Sequence, residues 1–288
     1  MDALPCSPAA QHFLYPLSPL WYSSYMSELV VTLLRDSLFE IVLNRPDKRN
    51  AISAEMFRQF DAAVTRANRT PGLRAVLIRG AGETFSAGID VSALLGLAES
   101  HGPHWLQRMR AITDEFQGVL TRLERLELPT IALLHGHCLG LAFELALACD
   151  LRLAAEGTTL GLPETKLGMI PDVGGTTRLT RLVGPARAKE IIFTGRRFDA
   201  ALAERWGIVN DVVPVDRLAA RGDELAAEIC AAAPLAVGMA KRVIDGLADI
   251  DRGLMLEGWA QSQLFASEDF LEGAQAFMMR RPPEFKGK

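Results

Sequence analysis

Between residues 38 and 154 each short aliphatic run gives way to a helical pattern and then to another such run, and this alternation constrains the fold most. The run 38–43 ends at Asn44-Arg45-Pro46-Asp47. Ser53 then reads as an N-cap with Glu55 in the first turn, and Met56, Phe60, Ala63 and Ala67 recur at helical spacing until Pro71-Gly72 stops them. A strand at 75–78, a helix over 105–126 closed by Pro129, a buried strand at 130–134, a helix over 140–149 and a strand at 151–154 follow. Upstream, residues 29–34 and 38–43 flank Arg35-Asp36-Ser37 and read as a hairpin. Strand–helix–strand units with short connections imply right-handed crossovers and an α/β core. From Asp216 onward the pattern is helical only, with apolar stripes near 217–231, 234–247, 253–265 and 268–279. The chain therefore divides into an arm at 1–27, a core at 28–215 and a helical region at 216–288 with more apolar faces than a tail needs.

Composition removes several functions. With 31 basic against 35 acidic residues the net charge is −4, which leaves no basic excess for nucleic acid. Cys6, Cys138, Cys149 and Cys230 are scattered without a C-x-x-C pair, so a reducing, cytoplasmic location is expected. The uncharged stretch 128–143 is too short to span a membrane and contains His135, Gly136, His137 and Gly140. Residues 1–27 carry Pro5, Pro8, Pro16 and Pro19 and no basic segment before an apolar core, so they read as a loose arm, or as sequence upstream of a start at Met26.

No Walker loop, no G-x-G-x-x-G and no G-x-S-x-G elbow is present. His135 and His137 are two apart and Glu144 is near, a conceivable metal set, although hydrogen-bonded turn histidines are the commoner outcome. Two loops hold more information. At residues 139–144 a helix starts after a glycine turn, so its first amides lack helical acceptors and face an anion with the positive end of the dipole. Glu144 lies one turn past Leu141, either beside whatever that amide holds or as a cap of its own first turn. At residues 85–90 small side chains allow close backbone approach, and the Ile89 N–H offers a second donor. Glu164 and Asp172 lie in apolar, glycine-rich surroundings that favour a raised pKa, with helix capping by Asp172 or Thr176 as the ordinary alternative.

Five runs occur in a telling order: 44–51, Phe85-Ser86-Ala87-Gly88-Ile89-Asp90, 135–150, Pro163-Glu164 through Gly174-Gly175-Thr176, and 207–214. Together they resemble the enoyl-CoA hydratase/isomerase (crotonase) superfamily, from about residue 29 to the end. The resemblance implies a crotonase-like spiral of ββα units, a helical C-terminal part that builds trimers or hexamers, and an acyl-CoA thioester substrate, used in fatty-acid or related degradation. It implies no cofactor, metal, nucleic acid or membrane. By position the oxyanion-hole amides fall on Ile89 and Leu141, and the hydratase glutamates on Glu144 and Glu164. Arg49, Ala51, Ala87, Gly88, Asp90, His137, Leu139, Gly140 and Pro163 fall on substrate-binding positions.

Two departures stand out. Leu141 and Ala142 replace the family's usual glycines, so the Leu141 side chain must point away from the thioester. Asp172, eight residues past Glu164, resembles the extra acid of dienoyl-CoA isomerases. Hydration of a 2-enoyl-CoA is the leading expectation, double-bond isomerisation by Glu164 and Asp172 the second, and acyl-CoA binding without turnover the third. Lys286 or Lys288 is expected near CoA phosphates.

Overall fold

Alternation of side chains along a strand sends successive residues to opposite faces, and here both faces are apolar, so the sheet must be covered twice. The computed structural model describes residues 28–96, 99, 101–232, 234–245, 262, 265–266 and 268–281. In it β1 (Val30–Arg35) and β2 (Leu38–Leu43) form the expected antiparallel hairpin. To β2 are added β3 (Ala75–Gly80), β4 (Thr130–Leu134), β6 (Leu151–Ala155) and β9 (Asp211–Val213), all parallel, in the order β1-β2-β3-β4-β6-β9. A second, three-stranded sheet contains β5 (His137–Leu139), β7 (Thr159–Gly161) and β8 (Arg197–Asp199).

On one face Ile41, Ile78, Ala132 and Leu134 pack against Met56 and Phe60 of α1 (Ala54–Arg69) and Leu120 and Leu123 of α3 (Met109–Glu124). Full burial of each large side chain contributes roughly 1.5–3 kcal/mol. Ser53 caps α1 as expected, its hydroxyl accepting from Met56 N. Between α1 and α3 in the chain is the short α2 (Val91–Leu95). The other face, through Leu77, Ile131, Leu133 and Leu153, is covered by Leu218 and Ala226 of α7 (Leu218–Ala231). Part of the helical 216–288 region is thus spent on the chain's own sheet.

Among the described residues the further helices are α4 (Leu141–Leu147), α5 (Gly175–Thr194), α6 (Ala200–Arg205), α8 (Pro234–Asp245) and α9 (Glu268–Met278). Residues Trp105–Arg108 form a 3-10 turn, so the helix expected from 105 begins at Met109. α5 breaks at Gly184 (φ +77°) before Pro185. Residues 1–27, most of the 253–265 stripe, Lys286 and Lys288 lie outside the described residues. Among the described residues no helix is long and apolar enough to cross a membrane.

Candidate active site

The loop after β3 and the strand β5 after β4 lie backbone against backbone. Ser86 N donates to the His137 carbonyl at 2.9 Å and Leu139 N to the Ser86 carbonyl at 3.3 Å. Gly88, at φ +94°, comes so near that a Cβ there would sit 2.4 Å from the Leu139 oxygen. Its carbonyl accepts from Ile52 N (2.8 Å) and Asp90 N donates back to Ile52 O (2.9 Å). In such a ladder the intervening Ile89 N–H points the other way. α4 begins at Leu141, with Phe143 N and Glu144 N already donating to the Gly140 carbonyl at 2.8 and 3.0 Å. Among the described residues neither Ile89 N nor Leu141 N has an acceptor. The Leu141 side chain, 3% exposed, is buried in the core.

Asn50 holds this geometry, although the spacing argument used it only as part of a run. It is fully buried at φ +51°; its amide donates to the carbonyls of Ala81 (2.8 Å), Thr84 (2.7 Å) and Phe85 (3.1 Å). Ser86 Oγ donates to the Asn50 carbonyl at 2.7 Å and accepts from Gly88 N at 3.1 Å. A buried asparagine at positive φ is the signal that would have found it.

Two carboxylates flank the start of α4. Glu144, 2% exposed, does not cap its own helix: its Oε1 accepts from Val173 N at 2.9 Å and Gly175 N at 2.8 Å, capping α5 instead. The N-cap position of α5 itself is Gly174. Asp172 Oδ2 accepts from Thr113 Oγ1 at 3.0 Å, and Thr176 Oγ1 donates to the Pro171 carbonyl at 2.9 Å. Glu164 begins a 3-10 turn after Pro163 and presses on Gly140, where a Cβ would lie 2.9 Å from its Oε1. Its Oε2 is buried without a hydrogen-bond partner among the described residues. Burial pushes the Glu164 carboxyl from 4.5 up to about 8; a backbone hydrogen bond opposes this and the charge of Asp172 adds to it.

An apolar cavity of about 560 Å³ runs past Ile52, Ile89, Met109, Phe116 and Val173, with Asp172 in its wall. The other expected positions divide. Ala51 and Ala87 are half-buried beside exposed Arg49, whose carbonyl accepts from Ala87 N at 2.9 Å. Asp90 is engaged structurally: it pairs with Arg45 at 2.6 Å and caps α2 through Ser92 N at 3.1 Å. His137 is half-buried, with no partner for Nδ1 among the described residues. His135 Nε2 donates to the Gly82 carbonyl at 3.0 Å, and burial lowers its pKa. Among the described residues no three His, Cys, Asp or Glu side chains gather as metal ligands.

The enoyl-CoA hydratase/isomerase family model matches residues 34–288. The chain belongs to this family. Carnitinyl-CoA dehydratase of Proteus mirabilis (strain HI4320) is 39% identical over 270 residues, spanning 91% of this chain and 100% of the relative. The mitochondrial enoyl-CoA hydratase domain-containing protein 2 of Bos taurus is 39% identical over 256 residues, spanning 86% of this chain and 84% of the relative. An enoyl-CoA hydratase from Mycobacterium avium subsp. paratuberculosis K-10 superposes with a TM-score of 0.79 at 31% identity, covering 90% of this chain and 98% of that one. The family's crotonase-like α/β fold is the one described above, and its named members span hydration, dehydration and isomerisation.

Proposed function

We propose that this protein hydrates the 2,3 double bond of a 2-enoyl-CoA thioester. The observation that carries the reading is the convergence, at the start of α4, of two amides without acceptors among the described residues and two glutamates in different environments. The Ile89 and Leu141 N–H groups would hold the thioester oxygen as it gains negative charge, each contributing about 2.7–4 kcal/mol in the transition state. Glu164, still protonated near neutral pH, is matched to delivering a proton to C2. Glu144, held on the α5 N-terminus, would orient the water whose oxygen bonds to C3. The proton that this water releases restores the glutamate pair, so water is added with no other reactant. The apolar cavity beside Ile89 would take the acyl chain. The same reading has a trimer or hexamer acting in the cytoplasm, and needs no cofactor beyond the CoA of the substrate.

Asp172 supports a second reading, transfer of a double bond from C3 to C2 by Glu164 and Asp172, because its carboxylate is in the wall of that cavity and its charge acts on Glu164. The test is one set of purified proteins on 2-enoyl-CoA and 3-enoyl-CoA. Under the hydratase reading E144Q and E164Q each lose hydration by about 100-fold or more while D172N changes it little. Retention of near wild-type hydration in either glutamine variant overturns it. Loss of isomerisation alone in D172N, in an enzyme that hydrates poorly, selects the isomerase. Turnover of neither substrate by a wild type that binds acyl-CoA selects a binding protein.

A further inference from the structure

The hydratase reading needs Glu144 to stay aimed, and the two amides that hold it belong to the loop at 171–174 and the first residue of α5, around Gly174, which has no side chain. Val173 N and Gly175 N converge on Glu144 Oε1 across Gly174, which sits at φ +109°. Three side chains of α3 tie this loop down. Thr113 Oγ1 donates to Asp172 Oδ2 at 3.0 Å, and Gln117 Nε2 to the Asp172 carbonyl at 2.5 Å. Glu124 Oε2 accepts from Nε and Nη2 of Arg178 at 3.2 and 2.9 Å, while Arg178 Nη1 donates to the Val173 carbonyl at 3.0 Å. At 3.6 residues per turn, positions 113, 117 and 124 fall within about 40° of one another on the helix face.

Arg178 is the central member of this arrangement. Its side chain is 3% exposed and paired with Glu124, which is 14% exposed. The guanidinium lies against the bare Cα of Gly174, where a Cβ would come within 1.7 Å of Nη1. A planar fork bridges an acidic side chain and a carbonyl in fixed directions; a lysine ammonium is a single point with no such geometry.

We propose that Arg178, anchored by Glu124, is a positioning residue for Glu144: it fixes the Val173–Gly174 peptide so that both flanking amides meet one carboxylate oxygen. The inference rests on the hydratase reading and is tested by a double-mutant cycle on the full chain with 2-butenoyl-CoA. In R178K, kcat falls by about 10–100-fold with KM within about threefold of wild type, as expected for a displaced catalytic group. In the E144Q background the same substitution changes kcat by less than about twofold, because no carboxylate remains to be aimed. E124Q, which keeps the guanidinium but weakens its anchor, shows the same pattern with a smaller loss, and decides the question if R178K fails to fold. Affinity for butanoyl-CoA, which cannot react, stays unchanged in both. If R178K and E124Q lower kcat by equal factors with and without Glu144, the residue serves only the fold and the inference is overturned. If E144Q alone hydrates at the wild-type rate, the hydratase reading falls and takes this inference with it.

Discussion

The Glu164 carboxyl is held away from water, and its proton couples the site to stability. Its folded-state pKa, about 8, lies above the unfolded value of 4.5. Below the unfolded value both states are protonated and the carboxyl's contribution is complete. As pH rises between the two values the unfolded chain has released the proton and the folded one has not, so stability falls by about 1.4 kcal/mol per pH unit. Glu164→Gln cannot ionise and removes that slope. Urea unfolding of both proteins at pH 5.5 and 7.5 should find the variant gaining roughly 2–3 kcal/mol on wild type across the interval. Parallel pH dependence in the two would show a carboxylate already ionised in the fold. Leu141 gives a second expectation. Its amide serves the site and its side chain serves the core, so the two roles separate. Leu141→Pro removes the N–H at a helix position that tolerates proline, and hydration is lost. Leu141→Gly keeps the N–H and turnover, but deleting a core side chain lowers stability by about 2–5 kcal/mol. It does not widen acyl tolerance, because the side chain is not in the cleft.

At the scale of elements, the loop carrying Ile89 owes its path to the buried Asn50 amide. Asn50→Ala leaves three carbonyls without that donor and puts alanine at φ +51°, so a loss of about 2 kcal/mol or more is expected, with kcat falling further than affinity. Thermal unfolding and steady-state kinetics on the variant check both parts, and a wild-type kcat would show the loop to be self-supporting. Elements with local signals were legible: the β1–β2 hairpin, α1 behind Ser53, and the β4 run before a glycine turn. Those without were not. β5, β7, β8 and β9 have three residues each, too few for a periodicity, and are specified by pairing with distant partners such as Gly161 with Leu139. α5 starts on glycines with no side-chain cap of its own, since its cap comes from Glu144 in another helix. The carboxylates were identifiable by motif order. The tertiary hydrogen bonds that distinguish Glu144 from Glu164 were not, because they depend on how α3, α4 and α5 meet.

For the whole molecule the question is which apolar faces remain once the sheet and the site are covered. α7 is used against β3, β4 and β6. α9 turns Phe270 and Ala274 inward, and its Gly273 lies so close to the Glu164–Leu167 turn that a Cβ would be 2.5 Å from the Leu167 main chain. Outward it exposes Leu271 (55%), Phe277 (53%) and Met278 (58%), followed by Met279 (68%). Leu271 and Met278 are seven residues apart, two helical turns on one stripe. A cluster of this kind on a charged protein is the mark of an interface, and a closed ring of copies would bury it on each of them. Light scattering at micromolar concentration should give three or six times the 31.4 kDa chain mass. Introducing charge at the stripe with L271K and M278K together should shift that mass downward, while far-UV circular dichroism stays unchanged because the inward residues are untouched. Since the inward face of the same helix braces the Glu164 turn, the dissociated variant is also expected to hydrate more slowly than wild type. A wild type that scatters as a single chain sinks the prediction; an unchanged mass in the double-lysine variant moves the interface to another face.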